Sequence, residues 1–257
     1  MNAQHATVAQ YYDEATPDYL QHVGDVLQGA MMTGAPFDSA PQRTLDFIAR
    51  EAGLADGQHV LDAGCGVCGP AVYFARLFPS MRIKAVTISP VQFQAALGRI
   101  WRAGVELRIK AVLGDMHDLE DDGVFDRVLF LESAGHSQDR PALWSMAHRA
   151  LKPGGILYIK DVMLTVDPCA TTQEQADDLR TFNGLYAYNT YSQATVVDEL
   201  KACGFGDIAI KPLWPMLDSA RAEHCKRTDG ELNAFGKRHA HELPNLPAAF
   251  FQVSARK

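Results

Sequence analysis

From Gln58 onward, short apolar runs alternate with longer stretches whose apolar residues recur at helical spacing. The alternation predicts βαβ units around a parallel sheet, each run a strand and each stretch a helix packed on it. HVLDAG reads as the first strand and GPAVYFARLF as the helix after its glycine turn. RIKAVTI is the second strand, and Pro90 then sits in the first turn of a helix through VQFQAALGRIWRAG. VELRIKAVLGD, VFDRVLFLES and GILYIKDVM read as strands three to five, with PALWSMAHRALKPGG before the last as a helix closed by a Pro-Gly-Gly stop. GDIAIKPLW and AAFFQVSAR are two late strands suited to a hairpin at one sheet edge. Two regions stand outside this pattern. Residues 1–53 are helical in character and precede the sheet, so they pack on its edge or over its top. Residues 164–193, between the fifth strand and the helix ATVVDELKACGF, are rich in Thr, Asp, Asn and Tyr. Insertions of this kind form lids and substrate pockets over the carboxyl ends of strands.

Composition narrows the function class. The 257 residues are 47% hydrophobic and 21% charged, an ordinary globular balance. No apolar run is long enough to span a membrane and the N-terminus has no signal-peptide character, so a soluble, cytoplasmic protein is expected. A formal charge of -7 argues against nucleic acid as a partner. The cysteines, at 65, 68, 169, 203 and 225, lack the spacing of a disulfide framework. Cys65 and Cys68 form a C-x-x-C, but no second pair or histidine pair accompanies them, so no metal site is expected there.

The chemistry concentrates in Val60-Leu61-Asp62-Ala63-Gly64-Cys65-Gly66-Val67-Cys68-Gly69, a strand running into a glycine-rich turn that opens a helix. A bare G-x-G-x-x-G is weak evidence, because tight strand-to-helix turns select glycine in any case. Asp62 decides between ligands. A carboxylate just before the first glycine sits where a dinucleotide would put its phosphates, and it suits a cationic ligand instead.

At these residues the sequence resembles the class I S-adenosylmethionine-dependent methyltransferases, whose first motif is similar to LDAGCG. The resemblance implies that Asp62, Gly64, Cys65 and Gly66 hold the amino acid end of that cofactor. It continues in order along the chain. Gly114-Asp115-Met116 resembles the adenine-contacting motif, with Asp115 accepting from the exocyclic amine. Phe125-Asp126-Arg127-Val128 and Leu151-Lys152-Pro153-Gly154-Gly155 resemble the entry to the fourth strand and the turn before the fifth. Most members end the second strand in an acid that grips the ribose, whereas this chain has Thr87-Ile88-Ser89-Pro90-Val91-Gln92. That stretch is similar to the branch of sterol, tocopherol, cyclopropane fatty acid and prenyl diphosphate methylating enzymes, which implies that Gln92 and the backbone near Thr87 and Ile88 serve the nucleoside. Tyr11-Tyr12-Asp13 and Asp18-Tyr19 resemble the branch's opening segment, so Tyr12 and Tyr19 are expected over the cofactor.

The resemblance also implies a Rossmann-like α/β fold: a seven-stranded, mostly parallel sheet with helices on both faces in a single methyltransferase domain. Within it, residues 1–53 form a helical cover, 54–163 the cofactor-binding half, 164–193 a lid after the fifth strand, and 194–257 the last strands and a substrate-side segment. The expected activity is methyl transfer to a small, largely apolar acceptor; a homo-oligomer is left open.

Two bases compete at the end of the fourth strand, in Leu131-Glu132-Ser133-Ala134-Gly135-His136. An oxygen or nitrogen acceptor would use His136 near its unperturbed pKa. An alkene carbon would leave a carbocation whose neighbouring proton goes to a carboxylate, which suits Glu132, and the resemblance to prenyl diphosphate C-methylating enzymes favours this. Glu132 is also counted among the cofactor-binding residues, with hydrogen bonding to the cofactor ammonium or capping of the next helix as its alternative roles. Aromatic faces stabilise cations, so Phe182, Tyr186, Tyr188, Tyr191 and Trp214 are expected around the acceptor. Arg221, with Lys226, Arg227, Lys237 and Arg238, would meet a diphosphate, in which case magnesium is open as a second cofactor. Rival readings are a cyclopropane synthase, a non-catalytic cofactor-binding protein and an NAD-dependent dehydrogenase; Asp62 and the absent acid at Thr87 argue against the last.

Overall fold

A computed structural model describes residues 3–22, 24–27, 39–213 and 243–257. Its centre is a sheet in the order β3-β2-β1-β4-β5-β8-β7. The strands are β1 (His59–Ala63), β2 (Arg82–Thr87), β3 (Ile109–Leu113), β4 (Phe125–Leu131), β5 (Leu151–Leu164), β6 (Tyr191–Ser192), β7 (Gly206–Pro212) and β8 (Ala248–Arg256). β1 to β5 run parallel, and β8 is antiparallel to both β5 and β7. The expected α/β sheet is present with one addition: the two-residue β6 pairs with the end of β5, making eight strands. The two late strands do pair, but β8 lies inside the sheet and β7 takes the edge.

Helices cover both faces. α2 (Ala40–Glu51), α3 (Gly69–Leu77) and α4 (Pro90–Ala103) bury Leu45, Ile48, Phe74, Ala96 and Ile100 against one side of the sheet. α5 (Arg140–Ala150) and α7 (Gln193–Ala202) bury Leu143, Trp144, Val196 and Leu200 against the other. Central strands covered on both faces must be apolar almost throughout, which explains the unbroken run Val60-Leu61 and Val128 to Leu131. α5 ends at Ala150, ahead of the expected Pro-Gly-Gly stop, and Leu151 already pairs with Phe125 in the sheet. Pro153 biases Lys152 toward extended backbone, and Gly154, at φ 76°, falls where β5 shifts register against β4.

Two further elements shape the top of the sheet. α1 (Ala3–His22) lies over the start of α4, where the Asp13 carboxylate accepts from Ser89 Oγ and from the Val91 N–H at 3.2 Å. Within the stretch 164–193, α6 (Gln173–Leu185) begins in a capping box between Thr172 and Gln175. Strand order reverses between β1 and β4, so a crevice opens at their carboxyl ends, where open α/β sheets bind ligands. None of the described helices is long and apolar enough to cross a membrane.

Candidate active site

The end of β1 forms one wall of the crevice. Asp62 is 2% exposed and, among the described residues, neither of its carboxyl oxygens has a hydrogen-bond partner. Burial pushes its carboxyl up to about 7. Past it, the N–H groups of Gly64 and Cys65 both donate to the Val86 carbonyl, at 2.9 and 2.8 Å. Gly64 therefore offers a ligand its bare Cα and carbonyl, not its N–H. Its φ of 87° favours glycine, and an added methyl would overlap Ser133, whose hydroxyl donates to Ala63 O at 2.6 Å. Gly64→Ala is expected to cost about 3 kcal/mol through left-handed strain and overlap, lowering Tm by about 6–10 °C in a thermal melt. Cys65 and Cys68 are both buried, with sulfurs 3.5 Å apart.

The end of β2 forms a closed polar pair, Thr87 Oγ1 donating to Gln92 Oε1 at 2.8 Å, with the Gln92 side chain amide facing Gly66 and Ile88 half-buried beside it. At the end of β3, the Gly114 N–H donates to Thr87 O at 2.9 Å. Asp115 Oδ1 accepts from the His117 N–H at 3.0 Å and meets its Nδ1 at 2.7 Å, with half-buried Met116 between them. His117 Nε2 then reaches Ser137 Oγ at 2.8 Å, tying this loop to the one that carries His136.

β4 is followed directly by Glu132, which has a left-handed backbone at φ 60°, a sparsely populated conformation for a residue with a Cβ. Its N–H donates to Lys160 O at 2.6 Å and its carboxylate is ion-paired with the Lys160 ammonium. On the opposite face of β5, the buried Asp161 accepts from the N–H groups of Gly135 and Val162 and from Tyr191 Oη. Burial, with Glu132 nearby, pushes its carboxyl up to about 7.

His136 is held at both nitrogens. Nδ1 lies 3.0 Å from Ala187 O, which can only accept, so Nδ1 carries the proton and Nε2 accepts from Tyr12 Oη at 2.7 Å. Burial lowers its pKa to about 4, so the ring is neutral at physiological pH. The Tyr188 ring packs on Gly135, leaving no space for a Cβ there, and its buried hydroxyl has no partner among the described residues. Phe182, Tyr186 and Tyr188 cluster with Val162, Leu243 and Phe250.

The crevice thus brings together Tyr12, Asp62, Gly64, Gly66, Thr87, Gln92, Glu132 and His136. Tyr19 bonds to Tyr11, hydroxyl to hydroxyl at 2.6 Å, rather than to the β4 loop. Tyr191 is buried in β6 beneath Arg140, whose guanidinium lies 4.5 Å from its ring centroid. Trp214, Arg221, Lys226, Arg227, Lys237 and Arg238 lie outside the described residues. The sequence reading missed Lys160, Asp161 and His117. The adjacent Lys-Asp in an otherwise apolar strand was a usable signal for the first two.

Residues 61–159 match the family model described as a methyltransferase domain. The chain therefore carries a methyltransferase domain over these residues. A sterol 24-C-methyltransferase of Gibberella zeae is 31% identical to this chain over 166 residues, covering 63% of this chain and 43% of the relative. An erythromycin 3''-O-methyltransferase of Saccharopolyspora erythraea is 29% identical over 186 residues, covering 69% and 60%. The chain spans about half the length of the sterol methyltransferases it matches. Its fold is shared by a geranyl diphosphate C-methyltransferase from Streptomyces coelicolor A3(2), with a TM-score of 0.81, 18% identity and coverage of 100% of this chain and 98% of the other. The sterol relatives agree with the branch expected from the Thr87 to Gln92 stretch.

Proposed function

We propose that this protein moves the methyl group of S-adenosylmethionine to a carbon of a small, largely apolar acceptor, an isoprenoid alkene or prenyl diphosphate, with Glu132 taking the proton released afterwards. The methyltransferase domain supports the transfer, and the bare Asp62 carboxylate supports the donor. Two buried oxygens without partners among the described residues suit an ammonium group and would repel a pyrophosphate. In this reading Asp62, Gly64, Cys65 and Gly66 hold the amino acid end of the donor. Gln92, Gly114, Asp115, Met116 and the backbone near Thr87 and Ile88 hold the nucleoside, with Tyr12 and Tyr19 of α1 above. The bound donor supplies a methyl carried on a sulfonium, which departs as a thioether.

The state of His136 carries the choice of acceptor. Removing a proton from an alcohol or phenol needs a competent base. His136, held near a pKa of 4 with its Nε2 lone pair already accepting from Tyr12, is a poor one. An alkene needs no base before transfer. Its π pair forms the new bond to the methyl carbon and leaves positive charge on the neighbouring carbon. An adjacent C–H bond then breaks, its electrons closing a new double bond and its proton passing to Glu132. That proton is strongly acidic, so a carboxylate suffices. Tyr186, Tyr188 and Phe182 offer ring faces to the cationic carbon.

The neighbouring geranyl diphosphate enzyme was crystallised with magnesium and a diphosphate analogue. Among the described residues here no group of His, Cys, Asp and Glu side chains could hold a metal ion, and no step above is routed through one. Oxygen methylation is the second reading, favoured by the erythromycin relative and by the Tyr12–His136 contact, where an acceptor hydroxyl could replace that of Tyr12. Incubation with methyl-labelled donor and a panel of prenyl diphosphates, phenols and amines separates them. Mass spectrometry is expected to place the label on a prenyl carbon. Label on a phenolic oxygen selects the second reading, and label on no compound of the panel overturns the assigned acceptor class.

A further inference from the structure

Lys160 lies in the middle of β5 and is 1% exposed. Lysine is almost never so deeply buried unless it is paired. Its ammonium meets the Glu132 carboxylate and sits 4.9 Å from the centroid of the Phe250 ring, while its carbonyl accepts the Glu132 N–H. One residue therefore grips Glu132 by backbone and side chain, at the point where Glu132 adopts its left-handed conformation. Two carboxylates flank the crevice in opposite electrostatic states. Among the described residues Asp62 has no partner on either oxygen, whereas Glu132 is matched by a buried ammonium.

We infer that Lys160 is a positioning residue: it fixes the Glu132 carboxylate at the tip of β4 and cancels its charge, leaving Asp62 as the carboxylate that receives the ammonium of the donor. The inference rests on the reading that the donor binds over Asp62 and that Glu132 faces the acceptor. Its chemical sense lies in what happens to the sulfonium. Positive charge leaves sulfur during transfer, so an uncompensated carboxylate close by would stabilise the bound donor more than the transition state, tightening binding without speeding the reaction. Pairing with Lys160 keeps Glu132 at hand while removing that penalty.

The test needs no acceptor. S-adenosylmethionine carries the sulfonium and S-adenosylhomocysteine does not, so the ratio of their Kd values reports the charge facing sulfur. Calorimetry at pH 8 on the full chain is expected to show the preference for S-adenosylmethionine rising about fivefold or more in Lys160→Met, where Glu132 lacks the Lys160 counter-charge. Lys160→Arg, and the double variant Glu132→Gln with Lys160→Met, should keep the wild-type ratio to within about twofold. An unchanged ratio in Lys160→Met, or an equal shift in the double variant, overturns the inference.

Should Lys160→Met fail to fold, thermal melts of the other variants still decide. The double variant, which removes both charges, is expected to melt above Glu132→Gln, which sets a neutral amide beside the buried ammonium; a double variant melting below it refutes the pair. Wild-type protein that binds neither nucleoside would instead overturn the proposed function, and the melting order would still read the Lys160–Glu132 pair.

Discussion

Asp62→Asn is expected to weaken S-adenosylmethionine binding about 10- to 100-fold, the worth of one charge-assisted contact in a buried site, while making the ligand-free protein more stable at neutral pH. The two effects share a cause. Asp62 is buried with no partner for either oxygen among the described residues, and its carboxyl sits at about 7, well above the ordinary carboxylate value. A carboxyl raised on folding costs nothing while both states are protonated. The penalty begins as pH climbs past the ordinary carboxylate value and is complete above about 7. At full extent it is worth about 4 kcal/mol. Asparagine avoids that penalty, so the variant should gain its stability from pH 5 upward and none near pH 3. Ligand binding should show the reciprocal trend. An incoming ammonium favours the ionised carboxylate, so wild-type affinity should fall by up to about tenfold per pH unit below 7, and this dependence should vanish in the variant. Calorimetry from pH 6 to pH 8 reads both; an asparagine variant that binds the donor like wild type would show that its ammonium lies elsewhere.

Glu132→Gln carries the second large effect. If Glu132 takes the proton from the methylated acceptor, turnover should drop about 10²- to 10⁴-fold, the usual contribution of a positioned acid or base. Binding of S-adenosylhomocysteine should stay within about threefold of wild type, since the ammonium is assigned to Asp62. The substitution also leaves the Lys160 ammonium facing a neutral amide, and a cost of about 1–3 kcal/mol should appear as a lower Tm. Single-turnover assays well below that Tm keep the two consequences apart. His136→Gln should reduce turnover much less, because the ring is neutral and already engaged at both nitrogens. Equal losses in the two variants would return the role of base to His136.

The alternating strands and helices were readable because each element repeats its apolar residues with its own period. β8 coincides with AAFFQVSAR end to end for this reason. Asp62 was readable as well, since its place before the first glycine is a local property of the chain. α6 lies within the stretch read as polar lid, although Thr172 and Gln175 spell a helix start; with Phe182 its one buried residue, it offers no apolar stripe to follow. The position of β8 between β5 and β7 is set by tertiary pairing and leaves no mark within either strand. The same holds for Lys160 and His117. Each acts through a partner 20 or more residues away, Glu132 for one and Ser137 for the other, and such distances close only when neighbouring strand tips are brought side by side.

The sheet order has a bearing on how the chain acquires its shape as it is synthesised. β1 to β4 can add to one another as they emerge, so the half of the molecule assigned to the nucleoside can form early. β7 finds no sheet neighbour until β8, made some 40 residues later, slots in beside β5. The far side of the crevice is therefore built out of sequence order, and between those two moments the edge of β5 stands open to pairing with a strand of another molecule.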